Sequence, residues 1–536
     1  MNNMLGVMID CSRNAVMNVE SVKKYASIIK KIGYNTLMLY TEDTYEVPNQ
    51  PLFGHLRGRY SKDELKELDK YCLSIGIELI PCIQTLAHLN AMFKWTDEYS
   101  DINDCDDILI ASDEKVLSLI DNMLNVVSEC FTTKKVHIGM DEAFRIGTGK
   151  YQKIHGIRDR FDIINEHLHK VCEFASKYEL EPMVWSDMFT TLALGTDNQY
   201  DVVEDKSALV EKAKLPENLT LVYWDYISKD PRHCEKIIKT NQLFERPVAY
   251  AAGAWTWRGF APSNKNSIEC TLRAIEACNN TGVKDMIITV WGDDGNECSP
   301  YSILPFLMTV AEVVNGNNDE KSVKDKFKEI TGCSYDSFMI FDKMDELAGN
   351  HNTEQDYYYN PCKYLLYNDP FLGIRDYMCS SDDCLYYKNL SKEINAVSDK
   401  GEFGYLFDFY EKLARVLSVK SDLGVRTRKA YLEKDIETLK RVVSDYDKTI
   451  ELINDFHKAH QTRWFIDNKP HGFDVQDIRI GGLIQRLKSC KERLLKFING
   501  EISNISELDE PVLNDTNGSG FWWRVSTPNI IGHCLD

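Results

Sequence analysis

No stretch of this 536-residue chain approaches the ~18 consecutive apolar residues that a bilayer-crossing helix needs. Basic residues are outnumbered, 63 Lys and Arg against 83 Asp and Glu, for a net charge of −20. With no basic face to neutralise phosphates, nucleic acids and anionic membranes are disfavoured as partners. A neutral ligand such as a sugar is not. The 16 cysteines follow no repeated spacing, and no Cys-x-x-Cys pair occurs. Cys82, Cys172 and Cys278 fall inside apolar strand or helix patterns, as reduced core thiols do, which points to a reducing cytoplasm over a disulfide framework. At the start of the chain, Met4 to Ile9 already reads as a strand, with no basic n-region and longer apolar stretch before it, so no secretory leader is expected. Internal repeats, low-complexity tracts and His-Glu-x-x-His are also missing, and no cofactor or metal is expected.

What is present suits two sizeable cores. Apolar residues make up 43% and charged residues 27%, with a mean hydropathy of −0.36. Two domains are the natural division of this length. Residues 1–315 alternate strand and helix. Strands are expected near residues 5–9, 36–40, 77–83, 135–139, 182–185, 219–224, 248–252 and 286–291. Helices lie between and after them, the second opened by a Ser61-x-x-Glu64 capping box. The strands are short, β-branched-rich and apolar on both faces, as buried parallel strands are. Eight such units predict a (β/α)8 TIM barrel. The alternative, a doubly wound open sheet, lacks a Gly-x-Gly-x-x-Gly after the first strand. Residues 316–536 read instead as a mainly α-helical C-terminal domain, with amphipathic stretches at 402–420, 432–457 and 480–499. The break is expected near Asn315–Asp319. Trp464 to Phe473 reads as a long aromatic loop between helices, and a tail from Asn514 carries Trp522-Trp523.

In a barrel of this kind chemistry sits at the C-terminal ends of the strands. Here those ends collect acids and aromatics: Asp10-Cys11-Ser12-Arg13, Thr41-Glu42-Asp43, His88, Asp141-Glu142, Trp185-Ser186-Asp187, Trp224-Asp225-Tyr226, Trp255-Thr256-Trp257-Arg258 and Trp291-Gly292-Asp293-Asp294. Five of the chain's nine tryptophans lie there, and such a rim suits a sugar pocket, with rings stacked on aromatic faces and hydroxyls bonded to acids. The adjacent Asp141 and Glu142 are the most informative pair. Like charges a few ångströms apart push one pKa up and leave the other ionised, which glycoside hydrolysis exploits.

His137-Ile138-Gly139-Met140-Asp141-Glu142 resembles the His-x-Gly-x-Asp-Glu hallmark of glycoside hydrolase family 20, the β-N-acetylhexosaminidases. Ile9 to Arg13, Ile80-Pro81 through His88, Trp185 and Trp291-x-Asp293 resemble that family's motifs on strands one, three, five and eight, in the same order. The resemblance spans roughly residues 5–315, in a variant that begins at the barrel and carries a helical C-terminal domain. It implies an exo-acting β-N-acetylhexosaminidase that removes terminal non-reducing β-linked GlcNAc or GalNAc with retention, the substrate's acetamido group acting as nucleophile. The implied substrate is a small oligosaccharide or glycoconjugate ending in an N-acetylhexosamine. Glu142 is then the general acid and base, and Asp141 holds the acetamido nitrogen. Trp185, Trp224 and Trp291 form an acetamido cage, and Arg13 and Asp293 read hydroxyls. His88 closes the strand-three motif.

Two departures stand out. Where the family has Asp-x-Pro-Gly-His, this chain has Gln84-Thr85-Leu86-Ala87-His88, so a carboxylate orienting His88 must come from elsewhere, with Asp43 and Glu42 as candidates. The tyrosine that bonds the acetamido carbonyl is expected at Tyr226, past a strand end, over Tyr250 inside a strand. Plainer roles stay open: Arg13 as a partner of Asp10, His88 as a structural hydrogen-bonder, Trp255 and Trp257 as packing, and His137 as a satisfied core residue. Rival functions are a retaining β-glycosidase using Glu297 or Asp187 as nucleophile, a metal-dependent hydrolase using His55, His88 and His137, and a non-catalytic carbohydrate-binding barrel. The helical domain is expected to complete the site or to form a homodimer interface.

Overall fold

The computed structural model describes residues 4–347 and 360–513. The Asn514 tail with Trp522-Trp523 lies outside the described residues. Two compact units divide the chain. The first comprises Met1–Trp255, Lys265–Trp291 and Phe306–Asp319; the second comprises Thr256–Asn264, Gly292–Pro305 and Glu320–Asp536.

The first unit is a closed barrel of eight parallel strands: β1 (Leu5–Asp10), β2 (Thr36–Tyr40), β3 (Glu78–Cys82), β4 (Lys135–His137), β5 (Glu181–Trp185), β6 (Thr220–Trp224), β7 (Val248–Gly253) and β8 (Met286–Val290). Neighbours in sequence are neighbours in the barrel, and β1 closes on β8 with Leu5 opposite Met286. Side chains alternate across each strand. One set fills the interior: Met8, Met38, Tyr40, Ile80, Cys82, Met183, Trp185, Val222, Ala249, Ala251 and Ile287. The other set, including Val7, Leu37, Leu39 and Leu79, is buried under the outer helices. This double burial makes the strands read as continuous apolar runs.

Local chemistry sets the helix ends. Before helix α1 (Val19–Ile32), Asn18 accepts the N–H of Ser21, and Gly33 stops the helix at φ 126°. Before α2 (Lys62–Ser74), the expected capping box is present, with Ser61 and Glu64 bonded to each other's backbone. Helices α3 (Glu114–Cys130) and α4 (Arg160–Lys177) lie on either side of β4 in sequence. Two features differ from expectation. Strand β4 ends at His137, before Gly139, because Gly139 and Met140 both take left-handed backbone, φ 73° and 72°, and turn the chain. A short helix α5 (Asp187–Leu194), not expected from the sequence, starts immediately after β5, so Asp187 opens a helix just past the strand end.

The second unit is helical, with α6 (Asp383–Ala396), α7 (Gly404–Lys420), α8 (Leu423–Leu432), α9 (Ile436–Asp467) and α10 (Phe473–Ile498). Phe260, Phe409 and Phe456 meet in its core, Phe260 and Phe456 with ring centroids 5.6 Å apart. The expected long loop at Trp464–Phe473 is corrected. Helix α9 runs through Asp467 and α10 starts at Phe473, leaving only residues 468–472 between them. Trp464 is fully buried and its indole donates to Lys469 O at 3.1 Å, so it packs instead of standing on a loop.

A four-charge network lies inside this unit. Lys363, with no exposed surface, pairs with Asp294 at 2.6 Å and Glu297 at 2.7 Å. Arg479 pairs with the same two acids at 2.9 and 2.8 Å. Removing one member of such a buried group leaves an uncompensated charge and costs about 3–5 kcal/mol. Lys363→Met is expected to destabilise the second unit by that amount in urea unfolding, and a loss under about 1 kcal/mol would show that water or Arg479 alone satisfies both acids.

Candidate active site

Four strand ends converge on one buried carboxylate. Asp10, closing β1, folds the next turn over itself by accepting the N–H and hydroxyl of Ser12, both at 2.8 Å, and the N–H of Arg13 at 3.1 Å. That turn aims Arg13 across to β2, where its Nε donates to Glu42 at 3.1 Å. The Tyr40 hydroxyl also donates to Glu42, at 3.2 Å. Burial pushes the Glu42 carboxyl up, with Arg13 opposing.

From the end of β3 come Gln84 and His88. The Gln84 amide nitrogen donates to Tyr40 Oη at 2.8 Å and to Asp141 Oδ1 at 2.7 Å, and its oxygen accepts the Met140 N–H at 3.1 Å. Gln84 occupies the position of the departed motif acid, and its amide clamps the loop that bears the acid pair. Gly139 is needed for this approach, since a Cβ there would overlap the Gln84 side chain and lie 2.9 Å from Ile83 O. His88 stands between acids and cation, with Nε2 3.2 Å from Asp141 Oδ2 and 3.6 Å from Glu142 Oε2, and Nδ1 3.2 Å from Arg13 Nη2. A ring protonated on both nitrogens would set N–H against the guanidinium, so the Arg13 contact favours a neutral ring with its proton on Nε2. Burial also disfavours the charge, yet Asp141 outweighs both and raises the ring to about 10. Neither expected carboxylate orients His88. Glu42 is engaged by Arg13 and Tyr40, and buried Asp43 pairs with Arg57 at 3.2 Å. The orienting acid is Asp141 itself, while Asp107 accepts the backbone N–H of His88 at 3.0 Å.

Asp141 is buried, which alone would raise its pKa. His88 and the Gln84 hydrogen bond more than reverse this, holding the carboxyl below its usual range. Glu142, with 42% of its side chain exposed, faces outward, and its N–H donates to Asp187 Oδ2 at 2.9 Å. Burial first, and then the Asp141 charge, push up the carboxyl of Asp187.

A chain of aromatic rings lies beside these acids. Trp185, 1% exposed, sits 4.4 Å from His137 and 6.2 Å from Trp291 by ring centroids. Trp291 meets Tyr40 edge-on at 4.7 Å, and its indole N–H donates to Tyr226 Oη at 2.9 Å. Tyr226 stacks on Trp224 at 5.1 Å. Tyr250, between the inward-facing Ala249 and Ala251, lies on the outer face of β7 and spends its hydroxyl on Asp225 O at 2.8 Å. His137 is a buried core residue, as expected, but only half satisfied. Its Nδ1 accepts the Gly139 N–H at 3.1 Å, while Nε2 has no hydrogen-bond partner among the described residues, and burial lowers the ring to about 3.

The structure thus brings Arg13, His88, Asp141 and Glu142 into one bonded cluster and Trp185, Trp224, Tyr226 and Trp291 into one aromatic chain, joined through Tyr40. Asp293 belongs to the second unit. Gln84 and Tyr40 escaped the sequence reading. The only signal for Gln84 was its place in a motif that expects an acid. Among the described residues, no three His, Cys, Asp or Glu are grouped to hold a metal ion, and no helix is long and apolar enough to cross a membrane.

Known proteins resemble part of the chain. It is similar to hexosaminidase D of Homo sapiens, 22% identical over 254 residues, covering 45% of this chain and 49% of that protein. It is also similar to hexosaminidase D of Bos taurus, 22% identical over 262 residues, covering 46% of this chain and 69% of that one. The chain thus spans about half the length of the human relative. Among solved structures, a GH20 exo β-N-acetylglucosaminidase from Vibrio harveyi is 13% identical with a TM-score of 0.47, covering 64% of this chain and 58% of that one. Residues 5–243 match the model for the glycosyl hydrolase family 20 catalytic domain. Residues 336–520 match that for the glycoside hydrolase 20C C-terminal domain. Two successive segments fitting two parts of one family, the chain belongs to glycoside hydrolase family 20.

Proposed function

We propose that the protein is an exo-acting β-N-acetylhexosaminidase that releases terminal β-linked GlcNAc or GalNAc by retaining, substrate-assisted catalysis. The observation that carries this reading is the buried, ionised Asp141, held by Gln84 and His88 directly beside outward-facing Glu142. A fixed anion in a dry site is suited to gripping the acetamido N–H and stabilising positive charge as the acetamido oxygen attacks the anomeric carbon. Glu142 protonates the glycosidic oxygen and then draws a proton from water. Trp185, Trp224 and Trp291 fold the acetamido group beneath the ring. Tyr226 bonds its carbonyl, a choice supported by the prior engagement of Tyr250. Arg13 reads hydroxyls, and His88 tunes the acid pair. In this reading 1–315 is the catalytic barrel and 316–536 the helical domain.

The substrate is an oligosaccharide or glycoconjugate ending in an N-acetylhexosamine. A cytoplasmic setting is supported by the described cysteines, which are thiols outside any disulfide and mostly buried. A homodimer through the helical domain is supported by Phe465 and Ile478, 47% and 68% exposed on α9 and α10. Phe465→Asp with Ile478→Asp is expected to give monomers in sedimentation, and a wild type that is itself monomeric removes the idea.

Aryl β-glycosides test the substrate class. Turnover of the 2-acetamido substrates should exceed that of plain β-glucosides by at least about 10³-fold, since a well-placed intramolecular nucleophile is worth more than that. EDTA should leave the rate unchanged. Equal rates on both sugars, or loss in chelator, would defeat the substrate-assisted mechanism.

The roles separate by mutation. Glu142→Gln should lower kcat by about 10²–10⁴-fold for poor leaving groups and much less for good ones, which need no proton. Asp141→Asn should cost about 10²–10³-fold on every N-acetyl substrate, whatever its leaving group. A near wild-type Asp141→Asn enzyme would refute the assignment.

A further inference from the structure

We propose that Asp187 is a positioning residue that holds Glu142 in place as a neutral carboxylic acid. The proposal rests on the reading of Glu142 as acid and base given above.

The geometry starts from the backbone. Glu142 takes left-handed φ of 51°, two residues after Met140 at 72°. Non-glycine residues stay in that region only where their surroundings over-determine it. For Glu142 that surrounding group is Asp187 Oδ2, which accepts its N–H at 2.9 Å. Asp187 is the first residue of α5 and is only 3% exposed. Its other oxygen, Oδ1, is buried and has no hydrogen-bond partner among the described residues. As a carboxylate, Asp187 would leave half of its charge unsolvated. As a carboxylic acid, it has Oδ2 as acceptor for Glu142 and a hydroxyl at Oδ1.

The charged groups facing Asp187 favour the acid. Asp141 and Glu142, both from the β4 loop, repel a further negative charge, while the N–H of Met188 on its own helix opposes them. Helix α4, packed against α5, buries His167, whose ring is committed to the Ser112 N–H and Thr85 O. On β4, beside Trp185, His137 is neutral. Burial first, then Asp141, push the Asp187 carboxyl up to about 8. Asp141 and Asp187 therefore divide the labour of a carboxyl pair, one ionised and the other protonated.

The test compares Asp187→Leu and Asp187→Asn with wild type on aryl N-acetyl-β-glucosaminide from pH 5 to 9. Asp187→Leu frees the Glu142 backbone and should lower kcat at pH 6 by about 10²-fold, the cost of a small misplacement, with KM within threefold. Asparagine keeps an acceptor and replaces the hydroxyl with an amide, so Asp187→Asn should recover most of that loss. Wild-type activity should fall as pH rises through about 8. The asparagine variant, with nothing to ionise there, should lack that fall. An asparagine variant as impaired as the leucine one, or one that keeps the alkaline fall, overturns the proposal.

If wild type hydrolyses no N-acetyl glycoside, the functional reading fails, and stability decides the protonation state alone. A carboxyl raised to about 8 in the folded protein against about 4 unfolded loses stability for wild type as pH climbs between those values. The Tm of Asp187→Asn should therefore rise relative to wild type from pH 4 to 8. A flat difference overturns the proposal irrespective of activity.

Discussion

One buried negative charge organises the mouth of this barrel. An isolated carboxylate at the position of Asp141 would carry a desolvation cost of several kcal/mol and would protonate. It remains ionised because the Gln84 amide and the His88 ring are brought to it from β3. Those two are in turn held. Gln84 is fixed by Tyr40 and Met140, His88 by Arg13 and Asp107, and Arg13 by Glu42. Strands β1 to β3 therefore each contribute a residue whose placement depends on the next strand. The polar groups form one connected network, and such networks help buried polar residues specify one structure.

The fold was legible where burial imposes a pattern. Parallel strands covered on both faces read as short apolar runs, and all eight were located within a residue or two of their observed ends. The errors came where local backbone overrode pattern. Ile138 is apolar and extends the run, but Gly139 and Met140 in left-handed conformation end β4 at His137. In the helical unit, Trp464 and Phe465 looked like an aromatic interruption, yet the breakers are Pro470 and Gly472. Trp464 is simply a buried helical residue. Aromatic bulk does not stop a helix; loss of an N–H and a left-handed glycine do.

The site was legible as a set of residue types at strand ends and illegible as a network. Asp141, Glu142, Arg13 and His88 were visible because polar residues at the ends of apolar strands need a reason. Gln84 was visible only as a departure from a motif. Its bonds to Tyr40 and Asp141 span 44 and 57 positions, and no local pattern encodes contacts across that separation. The same holds for the titration of the acids. Adjacency drew attention to Asp141 and Glu142, but a third carboxyl, that of Asp187, is pushed up by burial first and then by Asp141; it lies 45 positions beyond Glu142 and is bonded to its backbone.

That distribution of charge also bears on which group attacks the sugar. A carboxyl nucleophile must be ionised and unencumbered. Glu297 is buried and held between Lys363 and Arg479, so freeing it would break a compact ion network. Asp187 is protonated near neutral pH and already accepts a backbone N–H through Oδ2. Asp141 is ionised, but both of its oxygens are occupied, one by Gln84 and the other facing His88. An anion restrained in this way is better suited to stabilising charge than to forming a bond to carbon. With each of these carboxyls engaged, a nucleophile that arrives with the substrate fits the site better, and an acetamido group beside the anomeric carbon can fill that role.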